Sequence, residues 1–157
     1  NLVAVRAADG QLSALAGRGA SFELARWLEH DGDARQPAEV AKAAAFRCDA
    51  HGCTARVGGA LLAVAISPVA LRDDCAAAAI LVLRFPRPGD CSPSGLVIDS
   101  DAIGRLGAHA LYLAGGRVVR IETVGDRRGA RAGAARRGGG DLEPAAEEWP
   151  AAGAKNR

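Results

Sequence analysis

Phe46-Arg47-Cys48-Asp49-Ala50-His51-Gly52-Cys53-Thr54-Ala55-Arg56-Val57-Gly58-Gly59-Ala60-Leu61-Leu62-Ala63-Val64-Ala65-Ile66 is the stretch on which the fold turns. Phe46 to Cys48, Cys53 to Val57 and Ala60 to Ile66 read as strands, because each is a short apolar-rich run bounded by turn-prone residues. Asp49-Ala50-His51-Gly52 and Gly58-Gly59 are the turns, and together they predict a three-stranded meander. The segment from Pro68 to about Ala76 reads as helical, and Ala79 to Leu83 is a continuous apolar run suited to a strand buried on both faces.

Working toward the start of the chain, Pro37 to Ala45 predicts a short helix with proline tolerated in its first turn. Before it, Ser21 is the expected N-cap of a helix reaching His30, with Phe22, Ala25, Trp27 and Leu28 as its apolar stripe and Asp31-Gly32-Asp33 as its stop. Leu2 to Arg6 and Gln11 to Ala16 predict a hairpin across Ala8-Asp9-Gly10, where Asp-Gly supplies the positive φ of a tight turn.

Working the other way, residues 84–95 are rich in proline and glycine and predict a loop, followed by a strand from Leu96 to Ile98. Asp99 or Ser100 can cap a short helix ending near Gly107. Ala108 to Leu113 and Arg117 to Val124 then predict a second hairpin across Ala114-Gly115-Gly116. From Gly125 onward the apolar pattern stops, and glycine, alanine and arginine dominate. A segment of that composition buries too little surface to offset its ordering entropy. The expected organisation is a compact α+β domain over residues 1–125, with a small mixed or antiparallel sheet of hairpins and a few short helices, and a disordered tail over residues 126–157.

Charge divides along the same line. Residues 1–125 hold 13 Lys plus Arg against 13 Asp plus Glu, and residues 126–157 hold 7 against 5. The domain is therefore neutral, which argues against a nucleic-acid-binding surface spread over all of it. The longest apolar stretch, Gly58 to Leu71, contains Pro68 and falls short of the roughly 20 residues of a membrane helix. The module is expected to be soluble in itself, and the lack of any methionine marks it as a fragment or processed piece of a longer product.

Cys48 and Cys53 flank a four-residue turn and can face each other as a directly opposed pair, leaving Cys75 and Cys91 for one another. Four cysteines permit three pairings, and an even count suits an oxidising compartment. Four reduced, buried thiols in a cytosolic protein are one alternative. A zinc site built from Cys48, His51, Cys53 and either Cys75 or Cys91 is the other, although its spacing lacks a matching second cysteine pair.

Glu29-His30-Asp31-Gly32-Asp33 gathers carboxylates around an imidazole and reads chiefly as a solvated helix end. No Gly-x-Ser-x-Gly turn and no phosphate-binding glycine loop between a strand and a helix is present. Arg127, Arg128, Arg131, Arg136 and Arg137 form a basic cluster able to attract phosphates without reading sequence. No aromatic residue interleaves them to stack on bases.

Taken in order, Val3-Ala4-Val5-Arg6 with Asp9-Gly10, Trp27-Leu28 with Asp31-Gly32-Asp33, Cys48-Asp49 with Gly52-Cys53, Asp74-Cys75, Cys91, Val97-Ile98-Asp99 and Gly107-Ala108-His109-Ala110-Leu111 resemble the C-terminal region of ComEC-type DNA-uptake proteins in their alphaproteobacterial form. The resemblance covers about residues 2–128. It implies a piece of an inner-membrane competence channel for single-stranded DNA, lying outside the cytoplasm after the channel's transmembrane core, with that core as its partner. It also implies a partial metallo-β-lactamase-like scaffold.

The His-x-His-x-Asp-His metal motif of active members is missing, since His30, His51 and His109 stand far apart. No catalytic residue, metal ligand, cofactor or small-molecule substrate is therefore expected. Two rival readings remain open: a metal-dependent hydrolase or nuclease completed by upstream residues, and a secreted, disulfide-bridged binding module. After Asp126-Arg127-Arg128 the chain departs from the family pattern, lacking its closing Arg-Pro-Trp.

Overall fold

The computed structural model describes residues 2–41, 45–91 and 95–128. A hairpin of β1 (Leu2–Arg6) and β2 (Leu12–Ala16) leads into α1 (Ser21–Asp31) and α2 (Pro37–Val40). Then come β3 (Arg47–Cys48), β4 (Gly52–Val57), β5 (Ala60–Ala65), a 3-10 turn at Pro68–Ala70, α3 (Leu71–Ala77), β6 (Ile80–Leu83) and β7 (Leu96–Ile98). The chain continues with α4 (Ser100–Leu106), the hairpin β8 (His109–Ala114) and β9 (Arg117–Thr123), and a last turn of helix, α5 (Val124–Arg128). The architecture is α+β. Among the described residues no helix is long and apolar enough to cross a membrane.

The predicted meander is the heart of the central sheet, whose order is β3-β4-β5-β6-β7. β3, β4 and β5 run antiparallel, whereas β5-β6 and β6-β7 are parallel pairs. A parallel pair needs a crossover, and α3 supplies the first one. Because side chains alternate across a strand, β5 sends Ala63 and Ala65 to one face and Leu62 and Val64 to the other. β6 does the same with Leu81 and Leu83 against Ile80 and Val82. Both faces are covered, which is why these two strands read as unbroken apolar runs.

On the first face, Ala63, Ala65, Leu81 and Leu83 pack with Leu71 and Cys75 of α3 and with Phe85 and Cys91 of the long loop. On the second face, Leu62, Val64 and Ile80 pack with Val3, Val5 and Leu15 of the first hairpin and with Leu111, Leu113 and Val118 of the second. The first hairpin in turn presents Leu2, Ala4, Leu12, Ala14 and Ala16 to Leu24, Leu28 and Val40 of the two N-terminal helices. Two β layers thus lie between helices.

Two expectations for α1 are corrected. Ser21 does not cap α1: the cap is Ala20, with no side-chain hydrogen bond, and Ser21 is the first helical residue. The apolar stripe is also different, because Leu24 and Leu28, one turn apart, are the buried pair, while Phe22 is 75% exposed and Ala25 and Trp27 face outward. Gly32 does stop the helix, in the left-handed conformation at φ 68°.

The second helix spans Pro37–Val40, with the Gln36 amide donating to the Glu39 carboxylate at 2.7 Å, and residues 42–44 of the expected helix to Ala45 lie outside the described residues. The compact part also runs past the expected boundary at residue 125. Thr123 donates its amide and hydroxyl to the Asp126 carboxylate at 3.2 and 2.8 Å, and the Asp126 amide donates back to Thr123 Oγ1 at 3.1 Å, fastening α5 to the end of β9. Residues 126–128 therefore belong with the domain. The rest of the expected tail, with Arg131, Arg136 and Arg137, lies outside the described residues.

Candidate nucleic-acid interface

β8 and β9 are joined by the two-residue turn Gly115-Gly116 and pair Ala114 with Arg117 and Leu113 with Val118. Regular continuation would pair Tyr112 with Val119. A bulge intervenes, and Tyr112 instead faces Arg120. One extra residue in a strand reverses which face the following side chains take. Val118 stays on the core side, and Arg120, which strict alternation would have turned inward with it, emerges on the outer face beside Tyr112.

The outcome is a polar strip on the outside of the hairpin. The Arg120 guanidinium lies 3.8 Å from the centroid of the Tyr112 ring. Arg120 Nη1 donates to Glu122 Oε1 at 2.9 Å, and Arg127 Nη2, reaching from α5, donates to Glu122 Oε2 at 2.6 Å. The Arg127 hydrogen bond, joined by the nearby charge of Arg120, holds the Glu122 carboxyl below its usual range, so it is ionised at neutral pH.

One carboxylate thus orients two guanidiniums. Both arginines are exposed and keep further N-H donors for another partner. Arg117, also exposed, stands beside the turn of the hairpin. Residues 117–128 carry four arginines against Glu122 and Asp126, a local excess of positive charge after residues 1–116, which hold 11 Lys plus Arg against 12 Asp plus Glu. Guanidiniums of this kind bind phosphate oxygens, and an arginine-backed ring offers a surface on which a base can stack.

Of the residues singled out from sequence, Arg127 belongs to this strip, Arg128 lies in α5, and Arg131 lies outside the described residues. Tyr112, Arg120 and Glu122 were not foreseen. An aromatic does accompany the arginines, through cross-strand pairing rather than adjacency in the chain, and the bulge that creates the pair leaves no mark in the apolar pattern.

The four cysteines form two bridges, Cys48–Cys53 and Cys75–Cys91, with Cα separations of 4.0 and 5.8 Å. Cys48 and Cys53 are the directly opposed pair expected across the β3-β4 turn. With every sulfur in a bridge, none is left as a thiolate for the zinc alternative.

The Glu29–Asp33 segment does not gather around His30. Glu29 pairs with Arg26, Asp31 with Arg6 and Asp33 with Arg35, so its carboxylates are drawn to three separate arginines. His51 Nδ1 lies 3.1 Å from Ser67 Oγ, a serine–histidine contact that spacing did not reveal. The neighbouring Asp49 accepts from the amides of His51 and Gly52 and does not orient the ring. Among the described residues no three His, Cys, Asp or Glu side chains are grouped to hold a metal ion. Compared with protein-family models, curated proteins and solved structures, the chain gives no match.

Proposed function

We propose that this chain is a non-catalytic accessory domain of an inner-membrane DNA-uptake channel, placed outside the cytoplasm after the channel's transmembrane core, and that the β8-β9 hairpin is where it meets single-stranded DNA. The observation that carries the reading is the outer strip of the hairpin, where Glu122 pairs with both Arg120 and Arg127 and the Arg120 guanidinium lies over the Tyr112 ring. Phosphates would be met by the arginines and a base by the ring, which suits a strand passing by without being read. Two disulfides support an oxidising location. The order of the sequence motifs supports the channel as parent.

Two measurements test the proposal. In cells whose DNA uptake depends on the parent channel, Arg120→Ala with Arg127→Ala should lower internalised DNA several-fold at unchanged protein level. Undiminished uptake would overturn the role of the hairpin. Purified chain incubated with magnesium, manganese or zinc should leave end-labelled single-stranded DNA intact, whereas cleavage above a protein-free control would overturn the non-catalytic part and favour a metal-dependent nuclease.

A further inference from the structure

The two bridges differ in the properties that set how readily a disulfide is opened. Each bridge has one buried cysteine, Cys53 at 4% and Cys91 at 6% exposed, and the contrast lies in their partners: Cys75 is half-buried and packed against the core of Leu81 and Leu83. Cys48 is exposed on the edge strand β3, and both Cys48 and Cys53 line an open cleft of about 490 Å³ between the β3-β4 turn and the start of α3. Exchange begins with a thiolate reaching one sulfur, so access favours the Cys48 side.

The spans also differ. Cys48 and Cys53 are 5 residues apart and Cys75 and Cys91 are 16 apart, so the first bridge restricts the unfolded chain less and its loss costs the fold less. Nor is the first bridge needed to keep its own cysteines together. The Asp49 amide donates to Gly52 O at 2.9 Å, and the Asp49 carboxylate accepts from the His51 and Gly52 amides at 2.7 and 2.9 Å. That turn holds the two Cα atoms 4.0 Å apart. A pair kept together by hydrogen bonds can open and re-close without the chain searching for its partner.

We infer that Cys48–Cys53 is a thiol–disulfide exchange site whose co-reactant is a dithiol, while Cys75–Cys91 is a structural bridge. A thiolate of the dithiol attacks Cys48 Sγ; the Cys48–Cys53 bond breaks, and its electron pair leaves on Cys53 Sγ, which takes up a proton. The second thiol of the reductant then attacks the mixed disulfide and releases Cys48, which is protonated in turn. Two electrons and two protons have passed to the protein, and the reductant leaves as a disulfide. Opening removes the covalent tie of β3, which otherwise pairs with β4 only at Arg47 and Cys48, and loosens that edge of the central sheet.

The test exposes the full 157-residue chain to a fixed concentration of reduced dithiothreitol, quenches by alkylation at a series of times and reads the products by peptide mapping. Cys48 and Cys53 should become alkylated at least about tenfold faster than Cys75 and Cys91. When the first pair is half-alkylated circular dichroism should be unchanged, and amide exchange should rise at Arg47 and Thr54. Simultaneous opening of both bridges, or opening of Cys75–Cys91 first, would overturn the assignment. A Cys48→Ala, Cys53→Ala variant should keep the wild-type spectrum, and its failure to fold would equally defeat the inference.

Discussion

Asp33 and Arg35 tie the end of α1 to the first hairpin. Arg35 Nε donates to the Asp33 carboxylate at 2.9 Å and its backbone amide donates at 3.0 Å, while Nη2 reaches the Leu12 carbonyl at 3.1 Å. The side-chain bond from Arg35 is the largest influence on Asp33, followed by the amide, and together they lower its carboxyl from 3.8 to about 2. A carboxyl depressed in the folded state contributes stability that is complete above its unfolded value and is lost as the pH falls through its folded value. Between about pH 4 and pH 2 the unfolding midpoint should therefore drop as Asp33 becomes protonated. Carboxyl-detected NMR should place its titration near 2, and Arg35→Gln should return it toward 3.8. Titration of Asp33 at its ordinary value in the wild-type chain would contradict the contact.

At the level of elements, turns were easier to read than faces. Asp9-Gly10, Gly58-Gly59 and Gly115-Gly116 mark hairpins because few other residues take their backbone angles, and all three hairpins form where these pairs stand. The face of α1 was not legible, because Phe22, Leu24, Trp27 and Leu28 offer more than one stripe at helical spacing and only the partner surface selects among them. The two choices predict different costs. Leu24→Ala should lower stability by about 2–5 kcal/mol, since Leu24 is fully buried, whereas Phe22→Ala should change it by no more than about 0.5 kcal/mol. Urea unfolding of the two variants separates these outcomes, and equal losses would show that the stripe has been misassigned.

Gly95 shows another property hidden from pattern reading. A Cβ built there would fall on the Ala79 carbonyl, the same carbonyl that accepts the Leu96 amide at 3.0 Å as β7 joins the sheet. From sequence this glycine is one more loop residue; its requirement appears only when β6 and β7 lie side by side. The β8-β9 bulge is hidden for a related reason, because the turn alone would set the regular register. The candidate site was therefore only partly legible: Arg127 and the cysteines could be named in advance, but Tyr112 and Arg120 meet only through a register shift.

Over the whole molecule, the layering follows from how apolar residues are distributed along the strands. β5 and β6 carry apolar side chains on both faces and become the centre, covered by α3 and the long loop on one side and by two hairpins on the other. β8 and β9 carry them mainly on one face, so the hairpin lies outermost with Tyr112 and Arg120 turned to solvent. Charge is uneven along the chain: residues 1–125 balance, whereas residues 117–128, which include the outer strip, carry four arginines against Glu122 and Asp126. The proposed contact between this basic strip and DNA predicts binding that is salt-dependent and sequence-tolerant, with each lost phosphate contact reducing the salt slope by about 0.7 for a single strand.

Fluorescence anisotropy of a labelled single-stranded oligonucleotide, titrated with the full chain across a series of salt concentrations, is the most direct measurement. Wild-type affinity should fall steeply and linearly on a log–log plot, and the Arg120→Ala, Arg127→Ala variant should bind more weakly with a shallower slope. Affinity that ignores salt, or a variant indistinguishable from the wild type, would contradict the proposal that the hairpin meets DNA.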